Sequence, residues 1–162
     1  MATYKKTLII PIEIKSRELI YKLLLACYAI NKNYRVLIGE SKYFRQNFFN
    51  FPKGIVIENN EVKKKYNFLK KIHSLGFKII ALDDECIMPI LFKNYFRLRI
   101  HNKNFDLLEY FFTTGILDYQ EINKNIPQYN KHKILKVGVP RFNIFDKIYY
   151  KDFIKPNKKN KK

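Results

Sequence analysis

The residues best suited to chemistry lie in a charged turn near the start of the chain. Glu13, Arg17 and Glu18 follow an apolar run, residues 8–12, and open a helix-like segment. An arginine beside carboxylates can hold one of them ionised for proton abstraction, and its guanidinium can orient a polyhydroxyl or anionic ligand. We therefore predict Glu13 as a general base, and Arg17 and Glu18 as substrate-binding residues.

A second acidic group, Asp83, Asp84 and Glu85, directly follows another apolar run, residues 77–82. Strand-like runs alternate with helix-like segments along the chain, which predicts parallel strands joined by right-handed crossovers. The carboxyl ends of parallel strands share one edge of the sheet, where ligands bind in open α/β folds. We expect Asp83 and Glu85 to bring catalytic carboxylates to the Glu13 turn, and Asp84 to contact the substrate.

A purely structural role for these residues is equally open at this stage. Glu18 can complete a helix-capping arrangement, Asp83 can cap the next helix, and Arg17 can pair with a neighbour. Polar loops at strand ends are common, although functional ones are enriched there. The pattern alone does not choose between the two alternatives.

The other reactive side chains form no recognisable centre. His101 follows Arg97 and Arg99, which makes it a candidate substrate-binding residue, with an ordinary surface role as the alternative. The two cysteines, Cys27 and Cys86, have neither a disulfide-framework nor a metal-ligand spacing. The chain has no glycine-rich phosphate loop, which argues against the dinucleotide-binding and P-loop classes. We expect no metal and no cofactor.

Six strands and several helices must position these residues. Apolar runs predict strands at residues 8–12, 35–38, 55–57, 77–82, 107–112 and 133–139. Helical spacing predicts helices at residues 16–30, 41–49, 62–75 and 116–126, with Ser16 as the first N-cap and Gly76 as a C-terminal stop. The apolar residues of the first helix, its predicted core face, are Leu19, Leu23, Leu24, Cys27 and Ile30.

This pattern predicts an α/β fold class: a single Rossmann-like domain with a mostly parallel sheet of about six strands and helices on both faces. An apolar, aromatic stretch at residues 88–98 could add a helix packed across the edge of the sheet. The 162 residues fit one domain, which we place at residues 1–145, followed by a linker and a Lys-rich tail at residues 146–162.

The net charge of +18 favours an anionic partner, either a membrane surface or nucleic acid. Lysines opposite a core stripe are, however, also the ordinary pattern of a solvated helix face. No apolar run reaches the roughly 18 residues of a membrane span, since Lys22 interrupts the longest one, and the N-terminus lacks the pattern of a secretory signal. We expect a cytoplasmic protein that contacts the inner face of the membrane at most peripherally.

Three segments resemble the surface carbohydrate biosynthesis proteins, a glycosyltransferase-like family with two Rossmann-like domains in the GT-B arrangement. IPIEIKSREL is similar to the family's first strand and helix, with matches at Pro11, Ile12, Glu13, Lys15, Arg17, Glu18 and Leu19. ALDDEC is similar to Leu-Asp-Glu-Glu-Gly, with Asp84 a conservative change and Cys86 in place of the glycine. VGVPRFNIF is similar to Gly-Asn-Pro-Arg-Phe-Asp, with departures at Val139 and Asn143.

The resemblance spans residues 7–145 and covers only the N-terminal, acceptor-side half of such proteins. It implies a domain that binds a sugar acceptor or a nucleotide sugar in surface polysaccharide biosynthesis, and it adds Arg141 to the substrate-binding residues. Sugar transfer would need a second domain, for example a C-terminal GT-B half supplied by a separate polypeptide. Whether this chain is an enzyme therefore stays open. The alternatives are an inactive truncated fragment or a basic, non-enzymatic module on an anionic membrane surface or, less favoured, nucleic acid.

Overall fold

A single six-stranded sheet organises the protein. The computed structural model describes residues 6–59, 63–82, 101–125 and 132–146. Its strands are β1 (Lys6–Ile12), β2 (Tyr34–Glu40), β3 (Gly54–Glu58), β4 (Lys78–Leu82), β5 (Tyr110–Thr113) and β6 (Ile134–Lys136). They lie in the order β2-β1-β3-β4-β5-β6, and every neighbouring pair is parallel. The α/β prediction, with six parallel strands, is therefore confirmed.

Within the described residues, five helices connect the strands. They are α1 (Lys15–Asn31), α2 (Ser41–Asn47), α3 (Tyr66–Ser74), α4 (Asn102–Phe105) and α5 (Ile116–Asn125). The described residues also include three short 3-10 turns. Phe48–Asn50 follows α2, Lys63–Lys65 precedes α3, and Pro140–Phe145 follows β6. The acidic triplet and the predicted helix at residues 88–98 lie outside the described residues.

The sheet is covered on both faces, because successive side chains of a strand point to opposite sides. Leu8 and Ile10 of β1 belong to the core beneath α1. Ile9, between them, belongs to the larger core that packs beneath α2, α3, α4 and α5. The helix between β1 and β2, α1, therefore lies on one face, and the described helices of the later crossovers lie on the other.

The predicted core face of α1 is wrong. Leu23 is 41% exposed and Ile30 is 55% exposed. The residues that α1 buries are Glu18, Tyr21, Lys22, Ala26 and Ala29. The helix packs Ala26 and Ala29 against the sheet. Its buried charged side chains, Glu18 and Lys22, form an ion pair at the edge of the sheet.

The first helix also begins differently from the prediction. Its N-cap residue is Ile14 rather than Ser16, and no side chain of the N-cap residue makes a capping hydrogen bond. Glu18 takes that role from inside the helix, because its carboxylate accepts a hydrogen bond from the Ile14 amide at 3.1 Å. The predicted stop of α3 is confirmed: the helix ends at Ser74, and Gly76 has a φ of 87°, which favours glycine.

Other boundaries shift by a few residues. The third helix begins at Tyr66 after a 3-10 turn, rather than at residue 62. β5 begins at Tyr110 rather than at residue 107, because the Leu107 and Leu108 amides close turns onto Asn104 and Phe105. Within the described ranges, no helix has the length and apolar character needed to cross a bilayer.

Candidate functional site

The carboxyl ends of β1 and β3 meet where the order of the sheet reverses. The chain leaves β1 toward β2 on one side and later returns to β3 on the other. In doubly wound sheets this switch point is the usual place for a ligand. The residues that end these two strands, Pro11 to Glu13 and Glu58 to Asn59, therefore form the candidate site.

The side chain of Lys22, from α1, lies at the centre of this switch point. Its side chain is 0% exposed, and its Nζ donates to Pro11 O at 2.5 Å, to Glu18 Oε2 at 2.8 Å and to Asn59 Oδ1 at 2.6 Å. An ammonium group has three N–H donors, so these three acceptors satisfy it completely. Lys22 thereby ties β1, α1 and the end of β3 together.

Glu18 holds the turn that precedes α1. Its carboxylate accepts hydrogen bonds from the Glu13 amide at 2.9 Å and from the Ile14 amide at 3.1 Å, and Arg17 Nη2 donates to it at 3.1 Å. Burial alone would raise the pKa of this carboxyl. The hydrogen bonds from Lys22, the Glu13 amide and Asn59, together with the charge of Lys22, lower the pKa to about 2. Glu18 is thus a buried carboxylate that is ionised at neutral pH.

A second ionic group, centred on Glu58, lies beside the first. Glu58 is 3% exposed and accepts a hydrogen bond from Lys65 Nζ at 2.9 Å. Arg45 Nη2 of α2 lies 3.6 Å from the same carboxylate and 3.9 Å from Glu13 Oε1. The guanidinium carbon also lies 5.7 Å from the centre of the Phe68 ring. Arg45 therefore bridges the ends of β1 and β3 from the α2 face.

An open cleft of about 330 Å³ lies on the outer side of Arg45. It is lined by Ile12, Glu13, Glu40, Ser41, Lys42, Arg45 and Gln46. The Glu13 side chain is 43% exposed there, so its carboxylate can be reached from solvent. Arg45 Nε is buried and has no hydrogen-bond partner within the described part of the chain. Acceptors and donors of this kind suit a ligand that carries several hydroxyl groups.

The crevice between the strand ends is closed, by contrast with this cleft. The residues around it include Pro11, Glu58, Asn59 and Lys65, and they leave no cavity for a water molecule in the described structure. Within the described residues, a ligand therefore has room beside this junction, for example next to α2, but not between β1 and β3 themselves.

The structure brings together Glu13, Arg17 and Glu18 as predicted, but with different exposure. Glu13 faces the open cleft, Arg17 is half-buried against Glu18, and Glu18 has no exposed surface. This geometry favours the capping alternative for Glu18. Asp83, Asp84 and Glu85 lie outside the described residues. The strand that precedes them, β4, ends at the same edge of the sheet as β1, with β3 between the two.

His101 and Arg141 lie in other elements. His101 is the N-cap residue of α4, with its ring centre 6.1 Å from that of Tyr66. The two residues line a separate cleft of about 380 Å³ with Asn67 and Lys103. Arg141 lies in the 3-10 turn that packs against α1, with its guanidinium carbon 5.8 Å from the centre of the Phe142 ring.

A third cleft, of about 430 Å³, lies between α1 and the 3-10 turn Pro140–Phe145 and is mostly apolar. Its lining comes from Tyr21, Leu24, Leu25, Tyr28, Ile57, Leu82, Phe112, Val137, Pro140 and Asn143. In the described residues, no group of three or more His, Cys, Asp or Glu side chains is placed to hold a metal ion.

Sequence reasoning missed five residues of the site: Lys22, Arg45, Glu58, Asn59 and Lys65. Two signals were present in the sequence. A lysine interrupts the longest apolar run at position 22, and polar residues follow the third strand directly at Glu58 and Asn59. Arg45 had no such signal, because only the crossover from β2 to β3 brings α2 beside β1.

Comparison of the chain with protein-family models, curated proteins and solved structures gives no match. The site must therefore be interpreted from its own geometry.

Proposed function

We propose that the chain is the acceptor-side domain of a glycosyltransferase-like protein of surface polysaccharide biosynthesis, and that the cleft beside Arg45 binds a sugar. The observation that carries this proposal is the pairing of an accessible carboxylate, Glu13, with a bridging guanidinium, Arg45, at 3.9 Å and at the ligand-binding edge of a parallel sheet. The likeness of the IPIEIKSREL segment to that family supports it independently. Sugar transfer would require a second, donor-binding domain.

Each residue has a distinct role in this proposal. Glu13 accepts the proton of a sugar hydroxyl, and Arg45 donates to hydroxyl or anionic oxygens of the ligand. Glu18 and Lys22 hold the backbone of Glu13 in place through buried hydrogen bonds. A positioned base of this kind typically contributes about 10²- to 10⁴-fold to a rate.

The remaining predicted residues stay part of the proposal on the strength of the sequence. Asp83 and Glu85 would supply further catalytic carboxylates at the end of β4. Arg17, Asp84, His101 and Arg141 would contact more distant parts of a substrate. Because His101 and Arg141 lie in other elements, these contacts would need an extended ligand rather than a monosaccharide.

The test is a calorimetric titration of the full chain with oligosaccharide acceptors and nucleotide sugars. We expect R45A to weaken the binding of a sugar ligand by at least tenfold, because a hydrogen bond to a charged group contributes about 1.5–3 kcal/mol. E13Q, which keeps the size of an exposed side chain, should weaken it less. R35A is the matched control, since Arg35 is exposed at the opposite end of the neighbouring strand.

Two results would contradict the proposal. One is the absence of binding of any such ligand to the folded wild-type chain, alone or with a donor-binding domain added. The other is an equal loss of affinity in R45A and R35A. Because Arg45 contacts the buried Glu58, circular dichroism must show that R45A is folded, and R45K, which retains the charge, provides a second comparison.

A further inference from the structure

A patch of exposed apolar and basic side chains lies at the amino edge of the sheet, at the opposite end from the candidate site. We define the aromatic–lysine patch as Phe49, Lys53, Lys71 and Leu75. Phe49 belongs to the 3-10 turn that leads into β3 and is 59% exposed. Lys71 and Leu75 lie at the end of α3, and Lys53 lies against Gly76, directly after that helix.

Phe49 is held in a fixed position although it is exposed. Its ring centre lies 4.9 Å from that of Phe48, which is buried in the core and contacts Phe68 and Phe77 edge to face. The Phe51 amide closes the turn by donating to Phe48 O at 3.1 Å. An exposed phenyl ring on so firmly anchored a turn indicates a contact surface rather than a frayed end.

Lys71 connects the aromatic and basic parts of the patch. Its Nζ lies 5.3 Å from the ring centres of both Phe48 and Phe49. The two chain segments that form the patch, residues 48–54 and 70–77, contain three lysines and no acidic residue. The patch therefore combines positive charge with an exposed apolar side chain.

These features fit an anionic bilayer better than a nucleic acid. Single-stranded nucleic acids stack their bases on open aromatic faces, whereas the Lys71 ammonium already covers Phe49. At a bilayer surface, the phenyl ring can enter the boundary between headgroups and acyl chains while the lysine stems lie along apolar surface and their ammonium groups meet lipid phosphates.

We propose that the aromatic–lysine patch docks the protein on an anionic phospholipid bilayer. Phe49 and Leu75 enter the interfacial region, and Lys53 and Lys71 contact lipid phosphates. This orientation leaves the Arg45 cleft, at the other edge of the sheet, facing away from the membrane. The proposal does not depend on the sugar-binding function.

The absence of tryptophan from the chain permits a direct test. F49W places a single fluorophore in the patch, and L117W places one on α5, where Leu117 is similarly exposed. Both full-length variants are titrated with vesicles of phosphatidylcholine containing 30 mol% phosphatidylglycerol. We expect a blue shift and quenching by brominated lipid for F49W, and neither for L117W.

Charge and insertion are then separated by two further variants, measured by vesicle co-sedimentation. F49S changes no charge and should weaken binding about fivefold, through loss of a partly buried phenyl ring. K53Q/K71Q should weaken it roughly 20- to 30-fold, since each lysine near an anionic surface contributes about 1 kcal/mol. K15Q/K136Q removes two exposed lysines at the opposite, carboxyl edge of the sheet and should have a markedly smaller effect. The Lys-rich C-terminal residues are present in every variant, so their contribution cancels.

Three results would overturn the proposal. The first is equal fluorescence changes in F49W and L117W, or none in either. The second is equal loss of vesicle binding in K53Q/K71Q and K15Q/K136Q. The third is a response of F49W to a 20-nucleotide oligothymidylate that requires Lys53 and Lys71, without a response to vesicles, which would identify a nucleic-acid surface instead.

Discussion

Lys22 is a charged residue in a position that hydrophobicity would assign to a leucine. It is buried completely, and its ammonium is shared among a carboxylate, a side-chain amide and a backbone carbonyl. Taking an ammonium out of water costs several kcal/mol, and its partners offset that cost only when the geometry is good. A buried pair of this kind therefore fixes the position of α1 on the sheet more than it adds stability.

Removing only one member of the pair should be strongly destabilising. K22M has nearly the same volume but leaves the Glu18 anion and two oxygen acceptors without their partner, so we expect a loss of about 3–5 kcal/mol in the free energy of unfolding. Urea denaturation measures this change. K15M, at an exposed position of the same helix, should change it by less than about 0.5 kcal/mol.

The double variant E18L/K22M distinguishes the cause of the loss. It removes both charges, and it should be more stable than K22M because no uncompensated ion is left in the core. A double variant that is less stable than K22M would show that the hydrogen bonds of Glu18 to the Glu13 and Ile14 amides contribute more than its uncompensated charge costs.

At the scale of elements, the sequence predicted the existence of α1 but not its orientation. The apolar residues Leu19, Leu23 and Cys27 have helical spacing, and spacing alone assigns them to the core. The structure instead buries Lys22 and Glu18, because residues four apart on a helix can neutralise each other. Periodicity counts apolar residues and does not detect such compensation.

The close approach of β1 and β3 depends on Gly54. A Cβ atom added at Gly54 would lie 2.2 Å from Thr7 O, a backbone atom that cannot move without disturbing the sheet. We expect G54A to lower the free energy of unfolding by about 3 kcal/mol or more, as overpacking and strain do at their upper end. G115A is the matched control, because a Cβ atom at Gly115 would have no neighbour within 4 Å.

Thermal or urea unfolding of both glycine variants gives the comparison. Similar stabilities for G54A and G115A would contradict this account, since they would show that the two strands can separate enough to admit a methyl group at little cost.

At the scale of the whole molecule, alternation of strands and helices predicted the class of fold, and the structure confirms it. The order of the strands could not be predicted, because it depends on which way each crossover turns. The candidate site was predicted only in part, because some of its residues depend on those crossovers. Glu13 follows the first strand and was expected at the ligand-binding edge, whereas Arg45 reaches it only through the position of α2 across the sheet.

The dependence of global stability on pH should reflect the buried anion. The pKa of Glu18 is lowered from 4.5 to about 2, so its contribution to stability is complete above pH 4.5 and is lost as the pH falls from there toward 2. The corresponding free energy is about 3 kcal/mol. Urea unfolding of the wild type and of E18Q at pH 6, 4.5 and 3 measures it.

We expect E18Q to be less stable at pH 6 and to lose less stability on acidification than the wild type. E121Q, which alters a half-exposed carboxylate on α5, should retain the acid sensitivity of the wild type. Identical slopes for E18Q and the wild type would show that other carboxylates dominate acid unfolding.

The closed junction between β1 and β3, filled by Lys22, limits which ligands this fold could be adapted to bind. Doubly wound proteins commonly seat a diphosphate at that spot, against main-chain amides. Here Lys22 of the protein itself occupies that position, where it pairs with Glu18 and binds Pro11 O and Asn59 Oδ1. To convert this fold into a nucleotide-binding protein, Lys22 and Glu18 would first have to be replaced by smaller residues. That replacement would weaken the hydrogen bonds that support the neighbouring cleft.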